Sequence, residues 1–261
     1  MSSKWALILG ASSGFGAATS IELARNGYGI FGVHFDLRST LPNAVAVQDT
    51  VKAAGVEAVF FNINAADEDK RRAALDAIRE KLGPEGYCHV LMHSLAFGTL
   101  LPFIAEGVKE RISQKQMDMT LDVMAHSLVY WAQDMADRRL LGKNSRIFAM
   151  TSSGSTRVIR AYGAVSAAKA SLESHIRQLA FEMAPLGVTA NAIRAGVTDT
   201  PALRRIPGGP ELHQRAVEHN PSGRSTTPED VAKAIAVLSE GNLYWMTGNV
   251  IGVDGGEELT A

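Results

Sequence analysis

Short, continuously apolar runs alternate with helical segments along nearly the whole of this 261-residue chain. That alternation constrains the fold more than any single residue does. Residues 6–9, 28–35, 57–63, 89–94, 146–150, 188–193 and 250–253 read as strands. Helices are expected over 14–26, about 67–82, through about 117–141, from Tyr162 to about 184, and over 228–239,. Strands that are apolar at successive positions must be covered on both faces. The expected fold is therefore α/β: a single doubly wound, Rossmann-type parallel sheet with helices on both faces. A chain of this length suits one such domain, 1–261, better than two,. The segment 197–224 is rich in Pro and Gly and too long for an ordinary connection, so it is expected to be an irregular substrate lid,.

Composition narrows the partners. A formal net charge of −1 gives no reason to expect nucleic acid or a membrane surface as the main partner,. Cys88 is the single cysteine, which excludes an intramolecular disulfide and a thiolate-bound metal cluster,; no metal is expected. No basic-then-apolar leader opens the chain, and no apolar run reaches the ~18 residues of a membrane span. A cytoplasmic location is the expectation.

The turn Gly10-Ala-Ser12-Ser13-Gly14-Phe15-Gly16 follows the first strand directly and opens the first helix. Glycine lets the backbone turn tightly and lets a pyrophosphate approach, while the helix N-terminus offers free N–H groups and partial positive charge. In that context the turn predicts a dinucleotide site. The end of the second strand, His34-Phe-Asp36-Leu-Arg38, bears on the adenosine ribose. Counting from Gly10, the acidic position that favours NADH falls on His34. Arg38 can grip a 2′-phosphate, so NADPH is expected, with NADH possible. Asp36 should turn aside or orient Arg38.

Tyr162 and Lys169 are separated by six residues. On a helix advancing about 100° and ~1.5 Å per residue, they share a face with the lysine roughly one turn beyond the usual fourth position, which here is Ser166. Taken together, these elements resemble the short-chain dehydrogenase/reductase family over nearly the full chain. The matching pieces are the Gly10 turn, Asn64-Ala65, Thr151-Ser152-Ser153, Asn191-Ala-Ile-Arg-Ala195-Gly196 and Val253-Asp-Gly-Gly256. Three details resemble its NADPH-dependent enoyl-acyl-carrier-protein reductase branch: the six-residue gap, His93-Ser94-Leu95-Ala96-Phe97, and Ala195-Gly196 where most relatives have Pro-Gly.

That resemblance implies an oxidoreductase of fatty acid synthesis, working on an enoyl thioester carried by acyl carrier protein or coenzyme A, and assembled as a homotetramer or homodimer. Tyr162 would stabilise the enolate and Lys169 would hold the nicotinamide ribose, its charge favouring ionised Tyr162. Ser152 would be a second donor to the substrate oxygen. Asn64 and Ala65 would flank the adenine. Ser94, Leu95 and Ala96 would line the cofactor, and Ala195, Gly196, Thr198 and Thr200 would meet its nicotinamide end or pyrophosphate. Thr200 has a second possible role as a cap for the lid. The proton-relay asparagine of typical members falls on Met124, which weakens an alcohol dehydrogenase reading.

Chemistry supports the branch. In ketone reduction the acid meets the oxygen on the carbon that takes the hydride. In an enoyl thioester the charge collects on an oxygen two carbons further away, so the acid should stand further from the ribose-bound lysine. Two alternatives stay open: a carbonyl/hydroxyl oxidoreductase of ketoacyl or hydroxysteroid type, and a non-catalytic dinucleotide sensor. Met117, Met119, Met124, Tyr130 and Trp131 are expected to pack core or subunit interface. His126 is expected to be a partly exposed helix residue. Arg204-Arg205 reads as a solvated pair, or as a contact for a carrier's acidic surface.

Overall fold

The computed structural model describes residues 4–260. Seven strands, β1 (Lys4–Leu9), β2 (Tyr28–His34), β3 (Ala58–Asn62), β4 (Val90–His93), β5 (Arg146–Thr151), β6 (Thr189–Ala195) and β7 (Val250–Val253), form one sheet in the order β3-β2-β1-β4-β5-β6-β7. Every neighbouring pair is parallel. All seven residues of β2, all four of β4 and all six of β5 are buried. That is the pattern of a sheet covered on both faces, as the apolar runs predict.

Alternating side chains feed two cores. Leu7, Leu9, Leu91 and Ile147 face the layer of α3 (Glu68–Leu82), α5 (Ser127–Asp137) and α6 (Gly163–Glu182), where Leu75, Trp131 and Leu172 meet them. Ile8, Ile30, Met92 and Phe148 face the layer of α1 (Gly14–Arg25), α2 (Leu41–Ala53) and α8 (Pro228–Leu238), against Leu23, Val51 and Ile235. Gly29 and Gly32 in β2 make room for neighbouring aromatics: a Cβ would lie 2.7 Å from the Trp5 ring and 2.8 Å from the Phe60 ring. Trp5 in turn stacks on Phe31 at 4.4 Å.

Three elements depart from the sequence reading. α2 is a thirteen-residue helix over Leu41–Ala53 that the apolar periodicity does not signal. The expected long helix over 117–141 is split into α4 (Gln114–Leu121), a π-helical turn (Asp122–His126) and α5. The expected irregular lid contains a 3-10 turn (Leu203–Arg205) and the eleven-residue α7 (Gly209–His219). Its Pro210 sits in the first turn of α7, where proline's missing N–H costs nothing,. The Pro and Gly that suggest a loop here start a helix. A short α9 (Glu257–Thr260) closes the described chain.

Candidate active site

The chain crosses from one side of β1 to the other between β3 and β4, so a crevice opens at the carboxyl ends of β1 and β4,. Gly10 stands at its edge with φ +92°; a Cβ there would lie 2.4 Å from the Ser94 carbonyl oxygen. A Cβ on Gly16 would lie 2.1 Å from the Gly10 carbonyl oxygen, and Gly14 has φ +53°. No L side chain fits these contacts, so the turn is held tight and its backbone lies open. Ser13 is the N-cap of α1 but makes no side-chain cap bond, which leaves the first-turn N–H groups to a ligand. These residues fit a pyrophosphate. Leu95 lies beside Gly10, and the Thr200 methyl lies 3.6 Å from where a Gly14 Cβ would be. Ala96 and Asn64 are exposed, while Ala65 is buried and its carbonyl accepts from Trp131 Nε1 at 2.9 Å. Thr198 Oγ1 donates to the Gly196 carbonyl at 2.9 Å. Thr200 Oγ1 accepts from Leu203 N at 3.2 Å, a cap on the 3-10 turn.

At the end of β2, Asp36 turns inward. Its carboxylate meets His34 Nδ1 at 2.9 Å, and its backbone is clasped by the Asn62 amide at 2.9 and 3.0 Å. Burial pushes the Asp36 carboxyl up, yet hydrogen bonds from Thr40, Ser12 and His34 outweigh it and hold the group below its ordinary value. Asp36 therefore pairs with His34 and the glycine turn and does not orient Arg38, which lies exposed.

Tyr162 and Lys169 are both buried, and both are referred to the end of β5. Lys169 Nζ donates to the Met150 carbonyl at 2.8 Å. Two residues on, Ser152 Oγ lies 3.5 Å from the Tyr162 hydroxyl and accepts from Gly154 N at 3.2 Å. Either hydroxyl can donate in the Ser152–Tyr162 contact, because the serine oxygen keeps a second acceptor lone pair,. Tyr162 is the N-cap of α6 and not one of its helical residues. Ala161 before it is left-handed at φ +59°, a conformation that costs an L residue about 1–2 kcal/mol. The ring lies on Gly154, where a Cβ would approach Cε1 to 2.6 Å.

The electrostatics differ from the expectation that Lys169 favours ionised Tyr162. Burial holds the phenol above its ordinary value, and the Ser152 hydroxyl is what opposes it. Burial also pulls the Lys169 ammonium from 10.5 to about 8, with Glu173 opposing. His93, fully buried, meets Ser127 Oγ at 2.9 Å. Burial, and then the charge of Lys169, push its imidazole down to about 3, so it is neutral.

A set of exposed hydrophobics near the site in sequence was passed over by the sequence reading, and one of them, Phe103, reaches the start of α6 beside Tyr162. Phe97, Phe103, Ile104 and Val108, between β4 and α4, are exposed, as is Val158 four residues before Tyr162. The Phe103 ring covers Gly163, where a Cβ would come within 2.4 Å. Aperiodic exposed hydrophobics were the available signal. Several other residues resolve as structural. Trp131 is core and Tyr130 partly exposed. Met124 is buried in the π-turn. His126 Nδ1 meets His175 Nε2 at 3.0 Å. Arg204 and Arg205 are exposed, as expected of a solvated pair, and Arg204 makes two bonds of 2.8 Å to the equally superficial Asp199.

Proteins of known structure and name that share this architecture define the class: the chain is an NAD(P)H-dependent oxidoreductase of the short-chain dehydrogenase/reductase type. The family whose model is described as Enoyl-(Acyl carrier protein) reductase matches residues 10–258, and the chain belongs to that family. Among similar proteins, an NADPH-dependent aldehyde reductase-like chloroplastic protein of Arabidopsis thaliana is 26% identical, over 98% of this chain and 94% of the relative. The 1-cyclohexenylcarbonyl-CoA reductase of Streptomyces collinus is also 26% identical, over 98% and 87%. A short-chain dehydrogenase of Burkholderia cenocepacia J2315, solved in complex with NADP, superposes with a TM-score of 0.82 at 26% identity, covering 98% of both chains. Among the described residues no helix is long and apolar enough to cross a membrane.

Proposed function

We propose that this oxidoreductase reduces the carbon–carbon double bond of an enoyl thioester with NADPH. One observation carries the reading: the acid sits at the N-cap of α6, seven positions before the lysine, while the usual acid position, four before it, is the buried Val165. Bound NADPH supplies the hydride. Tyr162, held neutral by burial, hydrogen-bonds the thioester oxygen and stabilises the enolate as charge develops. Ser152 donates to the same oxygen or to the phenol. Lys169, anchored on Met150, turns its remaining N–H groups to the nicotinamide ribose. Arg38 takes the 2′-phosphate, and Asp36 stays sequestered by His34 and Ser12. Gly10, Ser13, Gly14, Phe15 and Gly16 hold the pyrophosphate, Asn64 and Ala65 the adenine, and Ser94, Leu95 and Ala96 the side facing β4. The exposed hydrophobics from Phe97 to Val108 suit an acyl chain, and residues 197–224 cover it as a lid. We place the whole activity in one domain, acting as a homo-oligomer in the cytoplasm on a substrate carried by acyl carrier protein or coenzyme A. The thioester reductase of Streptomyces collinus supports this reading by its name.

A second reading, reduction of a carbonyl or oxidation of a hydroxyl, has broader support among the similar proteins; the aldehyde reductase-like relative is as similar as the thioester reductase. The Ser152–Tyr162 contact serves a carbonyl oxygen equally well. NADPH consumption with crotonyl and longer enoyl thioesters, run beside acetoacetyl thioesters, separates the two. Turnover of enoyl thioesters is expected; turnover of ketones or alcohols alone replaces the proposal with the second reading. Tight cofactor binding without oxidation across both panels would point to a sensor.

A further inference from the structure

Glu257, on α9, is only 8% exposed, and both its carboxylate oxygens accept the Val197 N–H, at 3.2 and 3.0 Å. Val197 begins the turn after β6. A Cβ on the preceding Gly196 would lie 2.4 Å from Thr226 Oγ1 and 2.8 Å from Glu257 Oε2, so the turn is pressed directly onto this carboxylate. The turn runs on through Thr198, bonded to the Gly196 carbonyl, to Thr200, whose methyl faces Gly14 of the phosphate-binding turn. A contact chain thus links α9 to the N-terminus of α1. Its next residue does the same on the other side of the site: Glu258 pairs with Arg157, between Ser152 and Tyr162, at 3.1 Å.

The location is costly for a carboxylate. Burial raises its protonation range, and Asp254 on the turn after β7 and Glu258 on its own helix raise it further; the Val197 N–H and Arg157 oppose them. A glutamine would cap the same turn without burying a charge. We infer that Glu257 is a positioning residue for the cofactor, holding the Gly196–Thr200 turn over the dinucleotide crevice from the C-terminal helix. The inference rests on the dinucleotide reading of the Gly10 turn.

The test measures NADPH affinity by nicotinamide fluorescence and Val197 amide exchange, in the full chain. Glu257→Ala is expected to raise the NADPH Kd by about tenfold, the effect of losing a hydrogen bond to a charged group, and to speed Val197 exchange. Glu257→Gln keeps an acceptor oxygen and is expected to stay within about threefold of the wild type. Glu257→Asp keeps the charge but withdraws it by one methylene; should the alanine variant not fold, this variant is expected to show the same loss. Faster Val197 exchange with an unchanged Kd, in the alanine or aspartate variant, reduces Glu257 to a purely structural cap and overturns the inference alone. A wild-type chain that binds neither NADPH nor NADH overturns the dinucleotide reading and this inference with it.

Discussion

The ammonium of Lys169 donates to the main-chain carbonyl of Met150 at 2.8 Å, bridging α6 to the last residues of β5. Ser152, two residues beyond that carbonyl, reaches Tyr162. One strand end therefore sets the positions of the lysine and the tyrosine, though they are seven residues apart on another element.

Because the two are held separately, their substitutions should separate too. Tyr162→Phe is expected to lower kcat by about 10²–10⁴, the range for a positioned acid, with NADPH affinity nearly unchanged. Lys169→Ala should weaken cofactor binding as well as turnover. Steady-state kinetics beside direct titration checks both, and unchanged turnover in Tyr162→Phe would remove the tyrosine from its role.

Lys169 is buried at the expense of its own solvation. Its protonation midpoint falls from 10.5 to about 8 by burial. Between those values the unfolded chain binds more protons, so wild-type stability should climb with pH across that window. Below it the full cost applies, about 3 kcal/mol. Lys169→Met removes that cost and leaves the Met150 carbonyl unpaired, which costs about 1 kcal/mol. Urea denaturation at neutral pH should show the variant about 2 kcal/mol more stable, with the gap narrowing as pH rises past 8. A less stable variant would mean the ammonium contributes net stability.

The proposed preference for NADPH assigns the 2′-phosphate to Arg38, since Asp36 is already engaged by His34. Arg38→Ala should lower NADPH affinity by about 10- to 100-fold, through loss of about 1.5–3 kcal/mol in charged hydrogen bonding, and leave NADH affinity alone. If the wild type prefers NADH, or if Asp36→Ala shifts the preference and Arg38→Ala does not, Asp36 is the ribose ligand.

Two glycines should fail in different ways. Gly10→Ala drives a Cβ to 2.4 Å from the fixed Ser94 carbonyl in a left-handed position, so cofactor binding and stability should both collapse. Gly154→Ala meets a side chain instead, Cε1 of Tyr162 at 2.6 Å. It should displace the ring and cut kcat while NADPH binding persists. Calorimetry together with kinetics distinguishes these outcomes.

The parallel sheet was legible in the chain itself, because burial on both faces imposes unbroken apolar runs such as those of β2 and β5. So was the glycine turn, since positive φ at Gly10 and Gly14 is a backbone demand that only particular residues meet without strain. α2 was not legible, its exposed valine and alanine positions giving no clean helical stripe, and Pro210 looked like a loop residue while starting α7. Local sequence also placed Tyr162 and Lys169 on one helix face. The tertiary structure decided otherwise: Tyr162 caps the helix behind a left-handed Ala161, and burial, which depends on residues far along the chain, sets its proton affinity more strongly than its neighbours do. The Met150 carbonyl under Lys169, the Glu257 carboxylate under Val197 and the Asn62 amide that clasps the backbone of Asp36 carry no sequence signal. They exist only because the packed sheet brings distant backbone and side-chain groups within hydrogen-bonding distance, where each must find a partner once water is excluded.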